Sequence, residues 1–245
     1  MRFLIGIDDT DNLESRGTGY RTRKLGALLA ERGLATIESV TRHQLLVDPR
    51  IPYTSHNSSA CIAVSAPSEG IADLVECCRE YLLAESAPGS DAGLCVGTAP
   101  IVTEAVQRFG RRAKAEVLTR EEAEAVAAGN GLVLEGLTGN GGGVIGSLAA
   151  VGLRAFGTDG RFLWLPGLRE LSGVYTVTEL SRATGIDEVR TLDGIQAGRF
   201  DTVDVGSWPR PVLLGGKAVL FVEENREDEA SSRWRIAPKE IIKRY

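Results

Sequence analysis

Acidic side chains are concentrated directly after the first apolar stretch of the chain. Residues 3–7 have the length and composition of a buried strand, and Asp8, Asp9 and Asp11 supply three carboxylates within the next four residues. Loops at the carboxyl ends of strands are the usual ligand positions in α/β sheets, and such oxygen-rich clusters suit Mg²⁺ bound to nucleotide phosphates. The three aspartates are therefore candidate metal-binding and catalytic residues. The alternative is an exposed turn stabilised by Asx hydrogen bonds.

The stretch that follows, residues 16–24, is basic and contains no acid. Glycines flank Thr18, and glycine lets the backbone approach a ligand closely. The stretch leads into a predicted helix, whose free N-terminal amides favour an anion. An acidic metal loop followed by a basic helix start fits a metal–polyphosphate complex, so we predict that Arg21 and Lys24 bind its phosphates. The alternative is a capped helix with a solvated basic face.

A third candidate is a glycine loop that contains Gly139, Gly141, Gly142 and Gly143. Together with position 146, it satisfies G-x-G-x-x-G between a predicted strand and a predicted helix. A dinucleotide-binding fold usually opens with this motif and places an acid about 20 residues further on, whereas Asp159 does not clearly end a strand. We therefore predict that the amides of this loop cradle phosphate oxygens. A purely structural turn is the alternative.

Residues 51–59 are dense in hydroxyl and amide side chains and precede an apolar strand. Ser55, Asn57 and Ser58 could contact a ribose, a base or phosphate oxygens, although a loop bonded to itself explains the same composition. His56 has no partner in the sequence that would make it a general base.

Alternating strand and helix patterns position these loops. Leucines at helical spacing predict a helix over residues 20–32, and a second apolar stripe predicts one over 71–83. Thr119 and Glu122 predict a capping box at the start of another helix. The apolar stretches indicate strands over residues 36–40, 44–47, 60–64 and 132–137, and a short apolar helix over 144–151.

Strands dominate the later part of the chain, where paired glycines at 215 and 216 predict a hairpin between residues 211–214 and 218–222. We therefore predict an α/β (α+β) protein. Residues 1–170 would form an ATP-binding, kinase-like module with a mixed sheet. Residues 171–245 would form a smaller strand-rich part, for which a ferredoxin-like fold is one option.

The overall composition is that of a globular protein, with 245 residues of which 43% are apolar and 25% charged. A net charge of -5 argues against strong nonspecific nucleic-acid binding. No apolar run approaches the ~18 residues of a membrane-spanning helix, and the first one is too short for a signal peptide. The four cysteines form no C-x-x-C pair, which favours small buried side chains in a reducing cytoplasm.

Four of these motifs occur in an order that resembles a known family. GIDDTD at residues 6–11, TGY at 18–20, IPY at 51–53 and GVIGSLAAVG at 143–152 are similar in order and spacing to the archaeal isoleucine-tRNA agmatidine synthetases (TiaS). A weaker similarity lies at residues 200–204, so the resemblance spans most of the chain.

The resemblance implies an enzyme that uses ATP and agmatine to modify the wobble cytidine of an isoleucine tRNA. Its N-terminal kinase module phosphorylates the cytidine carbonyl oxygen, and its opening aspartates bind the metal–nucleotide complex. It also autophosphorylates a threonine, which Thr18 matches here. A ferredoxin-like domain, an OB-fold and a zinc ribbon follow in that family and hold the tRNA.

The chain departs from the family pattern in two ways. It is too short for a full OB-fold and zinc ribbon, and its cysteines do not supply a ribbon. The family loop after Pro-Tyr usually carries Lys, Arg and Gly-Asn-Gly, whereas residues 54–59 read TSHNSS, which removes two positive charges. We therefore expect a stand-alone relative of the kinase module, for which the ATP chemistry is better supported than the tRNA substrate.

The resulting prediction is a cytoplasmic ATP- and Mg²⁺-dependent phosphotransferase, acting on an unidentified small molecule or RNA. Three alternatives stay open. The chain could be one component of a tRNA wobble-cytidine modification enzyme, a non-catalytic nucleotide-binding module, or a dinucleotide enzyme built on the glycine loop. The sequence leaves a homo-oligomer open as well.

Overall fold

The structure is a computed structural model that describes residues 1–52, 56–226 and 232–245. The chain divides into two compact units, Met1–Phe156 and Gly157–Tyr245. Across the described part of the chain, no helix combines the length and apolar character that a bilayer span requires.

The first unit contains five strands and five α-helices in its described residues. In chain order these are β1 (Arg2–Asp8), α1 (Thr18–Glu31), β2 (Thr36–Gln44), β3 (Ser58–Ser65), α2 (Ile71–Glu85), β4 (Gly93–Thr98), α3 (Glu104–Arg112), α4 (Arg120–Gly129), β5 (Val133–Gly136) and α5 (Val144–Phe156). The strands pair antiparallel in the order β5-β4-β1-β3-β2. The first six of these elements thus have the β-α-β-β-α-β arrangement, with β1 at the centre of the sheet.

The central strand β1 is buried on both faces of this sheet. Phe3, Ile5 and Ile7 are fully buried, and by alternation they face away from Leu4, which packs in a core cluster with α3, α4 and α5. Helices α1 and α2 cover the other face, where Gly26 of α1 approaches Ile62 of β3. Burial on both faces explains why β1 reads as a continuous apolar run rather than as an alternating one.

Several local predictions are confirmed and two boundaries are corrected. The capping box is present, since the Glu122 amide donates to the Thr119 hydroxyl and the Thr119 amide to the Glu122 carboxylate. Residues 44–47 do not form a separate strand, because β2 continues through Gln44 beside β3. Helix α5 ends at Phe156 rather than at residue 151. Nearly all of residues 144–154 are buried, and this packing stabilises the helix beyond residue 151.

The second unit contains seven strands and two α-helices in its described residues. In chain order these are β6 (Arg161–Trp164), β7 (Val174–Thr176), α6 (Val177–Thr184), β8 (Glu188–Arg190), β9 (Thr202–Asp204), β10 (Val212–Leu214), β11 (Lys217–Glu224), β12 (Trp234–Ile236) and α7 (Lys239–Ile242). Most of the strands are only three or four residues long, and β11 is the longest with eight. The prediction that strands dominate this part of the chain is therefore confirmed.

The predicted hairpin in the second unit is confirmed. Strands β10 and β11 pair antiparallel, and Leu214 lies opposite Lys217. Gly215 and Gly216 form the turn between them with φ values of 60° and 79°, which glycine adopts without strain. Strand β11 also pairs parallel with β8, as β12 does with β9, so this unit has a mixed sheet. The α/β class is confirmed, whereas the ferredoxin-like option for this part is not.

The four cysteines are free and buried, as the sequence predicted. Burial raises the pKa of the Cys61 thiol to about 12. Burial also raises the pKa values of Cys78 and Cys95. These side chains therefore act as small apolar groups of the core.

A hydrogen-bonded carboxylate makes the stability of the second unit depend on pH. The Asp201 carboxylate accepts hydrogen bonds from Trp234 Nε1 at 2.9 Å, the Gly198 amide at 2.9 Å and Arg233 Nη1 at 3.0 Å. These donors, Trp234 foremost, lower the pKa of Asp201. We expect Asp201→Asn to destabilise the unit by about 1 kcal/mol at pH 7.

Because the folded pKa of Asp201 is depressed, its contribution is present above the unfolded pKa of about 3.9 and is lost as the pH falls through the folded value. Urea unfolding followed by tryptophan emission measures this, since all three tryptophans lie in the second unit. The exposed Glu170 provides the control variant Glu170→Gln. A stability difference between wild type and Asp201→Asn that is equal at pH 7 and pH 3 would contradict the prediction.

Candidate functional site

A pocket in the first unit brings together several of the predicted site residues. It is lined by the end of β1, the start of α1, residues 56–58 and the loop before α5. The predicted residues in its lining are Asp8, Asp9, Asp11, Thr18, Asn57, Ser58, Gly142 and Gly143. Asp91, which the sequence did not single out, adds a fourth aspartate to the same pocket.

The remaining predicted residues lie elsewhere. Gly139 and Gly141 belong to the same loop but do not line the pocket, and Ser55 lies outside the described residues. The Arg21 guanidinium donates to the backbone oxygen of Glu85 at 2.5 Å. Lys24 Nζ lies 5.9 Å from the centre of the Tyr20 ring. The phosphate-binding role of these two cations stays a prediction.

Glycines allow α5 to lie directly on the sheet beneath the pocket. A Cβ atom on Gly6 would lie 1.9 Å from a backbone oxygen of α5, and one on Gly93 would lie 2.1 Å from the carbonyl carbon of Gly143. A Cβ atom on Gly146 would lie 1.7 Å from Asp8 Oδ2. Because none of these positions carries a side chain, the first turn of α5 reaches the end of β1 and packs against the Asp8 carboxylate.

The glycine loop holds Asp91 rather than presenting free amides. The Gly142 amide donates to Asn140 Oδ1 at 2.7 Å and the Gly143 amide to the Asp91 backbone oxygen at 2.8 Å. The Gly141 amide donates to the backbone oxygen of Thr138 at 2.9 Å, and the Asn140 amide donates to Asp91 Oδ1 at 2.8 Å. Binding of phosphate oxygens to amides 141–143 would require these amides to leave their present acceptors, so the phosphate-binding role of the loop stays a prediction.

The backbone bends where β1 ends. Asp9 has a φ of 51° and is the one non-glycine residue of the described chain with a positive φ. Aspartate tolerates this left-handed conformation better than most residues. An extended segment would place Asp9 and Asp11 on one side and Asp8 on the other. With the bend, all three line the pocket.

Burial and like charges perturb two of these carboxyl groups. Burial, followed by the charge of Asp9, raises the pKa of Asp8 to about 8. Burial, followed by the charges of Asp91 and Asp11, raises the pKa of Asp9 to about 6. Neighbouring carboxylates resist ionising together unless a positive charge lies between them. The pocket is therefore electrostatically suited to a cation.

The Thr18 hydroxyl is hydrogen-bonded to the acidic segment that follows β1. Its Oγ1 donates to Asp11 Oδ1 at 2.8 Å and accepts from the Thr10 amide at 3.2 Å. The Thr10 hydroxyl lies 3.1 Å from Thr18 Oγ1. Thr18 is the first residue of α1, so the helix start fixes its position. A hydroxyl bonded to a carboxylate has the arrangement of an activated nucleophile.

Two charged residues at or beside this pocket, Asp91 and Arg42, do not stand out in the sequence. Asp91 stands just before β4 and joins the pocket because β4 pairs with β1. Arg42 lies within β2, donates from Nε to Ser58 Oγ at 2.9 Å, and interacts with the charge of Asp11. Burial lowers the pKa of Arg42, and Asp11 opposes that shift. A charged residue inside a strand of a buried sheet is the signal that could have pointed to Arg42.

The donor set of the pocket fits a metal ion shared with a ligand. Over residues 1–52, 56–226 and 232–245, no three His, Cys, Asp or Glu side chains are arranged to hold a metal ion by themselves. Mg²⁺ is usually bound by one or two carboxylates, together with waters and substrate phosphates. Carboxylates that line one pocket, and whose mutual repulsion a cation would relieve, meet that requirement.

Two curated proteins are similar to this chain, whereas no family model matches it. An uncharacterised protein of Methanocaldococcus jannaschii is 28% identical over 155 residues, and the isoleucine-tRNA 2-agmatinylcytidine synthetase TiaS of Cenarchaeum symbiosum is 28% identical over 156 residues. Each alignment covers 62% of this chain, but 50% of the first relative and 33% of the second. The chain therefore matches half or less of the length of these relatives.

Solved structures that are similar to this chain include TiaS as well. A complex of TiaS with its isoleucine tRNA and ATP is 25% identical with a TM-score of 0.55, and an enzyme described as a tRNA fluorescent labelling enzyme is 26% identical with a TM-score of 0.55. Each match covers 62% of this chain and 36% of the other. Apo TiaS shares the fold, with a TM-score of 0.54.

Proposed function

We propose, from the distant homology to TiaS over 62% of this chain and about a third of TiaS, that the first unit binds ATP with Mg²⁺ and transfers its γ-phosphoryl group. One observation carries this proposal: Asp8, Asp9, Asp11 and Thr18 line a single pocket together with Asp91. The relative solved with ATP supports the identity of the nucleotide.

The carboxylates would hold the metal–nucleotide complex. Asp8, Asp9 and Asp11 are the proposed metal-binding residues, of which one or two would bind Mg²⁺ together with the phosphates and water, and Asp91 adds negative charge beside Asp9. Bound Mg²⁺ would neutralise charge on the phosphate oxygens. The protein would contribute by positioning these groups and by stabilising the developing charge, which together are the main source of catalysis in phosphoryl transfer.

Thr18 is the proposed acceptor within the protein. Its Oγ1 would form the new bond to the γ-phosphorus, while the bond from that phosphorus to the bridging oxygen breaks and ADP leaves with the electron pair. The hydroxyl proton would pass to Asp11, whose Oδ1 already accepts its hydrogen bond at 2.8 Å. A small molecule or RNA would then receive the phosphoryl group, or would replace Thr18 as the acceptor.

Incubation with γ-labelled ATP and Mg²⁺, followed by peptide mass spectrometry, tests this proposal. We expect label on the peptide that contains Thr18 and its loss in Thr18→Val. Thr22→Val, one helical turn further along α1, is the matched control because Thr22 is buried and does not line the pocket. Failure of the wild-type protein to bind Mg-ATP in calorimetry would overturn the proposal.

A non-catalytic nucleotide-binding module is the second candidate. Thr18 is 7% exposed and its hydroxyl already has protein partners, which favours a structural role for this residue. Binding of Mg-ATP without hydrolysis or phosphorylation over hours would support this candidate over the phosphotransferase.

A component of a tRNA-modifying enzyme is the third candidate, supported by the relative that was solved with an isoleucine tRNA. Binding of isoleucine tRNA that weakens steeply with salt would favour it, because phosphate contacts release counterions. If tRNA does not bind, or binds with an affinity that does not depend on salt, this third candidate is not supported.

A further inference from the structure

We infer that Arg42 is the cation that contacts the phosphate chain of the nucleotide, and that Ser58 positions it. This inference rests on the proposed function, since it names the residue that would bind the phosphates. The phosphate-binding cation would thus lie on β2 rather than at the start of α1, where the sequence predicts Arg21 and Lys24.

The charge of the pocket requires such a residue. Its lining includes Glu116 as well as the four aspartates, and contains no Lys or Arg among the described residues. A phosphate chain entering this site would meet like charges wherever the metal ion does not lie between them. Nucleotide-binding sites of phosphotransferases combine the metal ion with a cationic side chain for this reason.

Arg42 lies behind the lining, next to Ser58, and is placed to supply that charge. Its Nε donates to Ser58 Oγ at 2.9 Å, and Ser58 lines the pocket. That bond accounts for one of the five N–H donors of the guanidinium. The planar fork of arginine suits the oxygens of a phosphate group. The side chain also lies close enough to Asp11 for the two charges to interact.

The cations at the start of α1 have other contacts. Arg21 donates to the Glu85 and Arg16 backbone oxygens and to Ser15 Oγ. Lys24 lies beside the Tyr20 ring. Binding a phosphate in the pocket would require both side chains to leave these contacts, and neither of them bonds to a described residue that lines the pocket.

Calorimetric titration with Mg-ATP and with adenosine separates a phosphate contact from a general effect on the pocket. We expect Arg42→Gln to weaken Mg-ATP binding by about 10- to 100-fold, as for loss of a hydrogen bond to a charged group. Adenosine binding should change by less than about twofold, because adenosine has no phosphate. The matched control is Arg32→Gln, which removes a positive charge at the C-terminal end of α1, whereas the pocket lies at its N-terminal end.

Ser58→Ala is the second variant, because loss of Arg42 could impair folding. Removing the hydroxyl deletes the hydrogen bond that holds the Arg42 guanidinium in place. We therefore expect the affinity for Mg-ATP to fall by about 3- to 10-fold, while the affinity for adenosine stays nearly unchanged. Thermal unfolding of each variant establishes that it is folded.

The outcomes distinguish this inference from the proposed function. If the wild type does not bind Mg-ATP, the proposed function fails and the inference falls with it. If the wild type binds Mg-ATP and the Arg42 and Ser58 variants bind it equally well, only the inference is overturned. Equal losses for Mg-ATP and adenosine would also overturn it, since they indicate a structural role.

Discussion

Replacing Asp9 or Asp11 by asparagine is expected to slow Mg²⁺-dependent phosphoryl transfer severely. Each change keeps the size of the side chain but removes a full negative charge from a residue that lines the pocket. The loss of transition-state stabilisation should be about 3 kcal/mol or more, which lowers the rate by over about 100-fold. Initial rates of transfer from γ-labelled ATP, measured across a Mg²⁺ titration, give the effect.

Asp73→Asn is the control for these two variants. Asp73 is an exposed aspartate in the first turn of α2 and does not line the pocket. It should keep the wild-type rate and the wild-type dependence on Mg²⁺. A normal rate and normal Mg²⁺ dependence in Asp9→Asn would show that the aspartates do not hold the metal–nucleotide complex.

Gly6→Ala should strongly destabilise the first unit. The added Cβ would lie 1.9 Å from the Ser147 backbone oxygen, and backbone cannot turn aside as a flexible side chain can. Helix α5 would have to move away from β1, at a cost of about 3 kcal/mol. Because Asp8 packs against the same helix, we also expect weaker nucleotide binding. Urea unfolding followed by far-ultraviolet circular dichroism measures the stability.

Gly26→Ala is the matched control on the opposite face of the sheet. There the nearest atom to an added Cβ belongs to Ile37 and lies 3.8 Å away, which is an ordinary contact. Gly26 also lies within α1, where alanine favours the helix by up to about 1 kcal/mol over glycine. Equal destabilisation by the two substitutions would contradict the close approach of α5 to β1.

Local patterns predicted much of the fold. The strand before Asp8, the helix that carries Leu25, the capping box at Thr119 and the hairpin at Gly215 are all present. Each depends on residues within about one element, where apolar periodicity, capping and turn chemistry act. The end of β2 and the length of α5 were less predictable, because pairing and burial decide them.

By itself, the sequence determined the acidic loop after β1, the elements on either side of it and the resemblance to TiaS. Only the tertiary structure decided which distant residues join that loop. Asp91 reaches it because β4 pairs with β1, and Arg42 approaches it from β2 through Ser58. The glycine loop packs α5 onto the sheet and holds Asp91. Strand order and close packing bring these groups together, and neither is encoded in the spacing of residues along the chain.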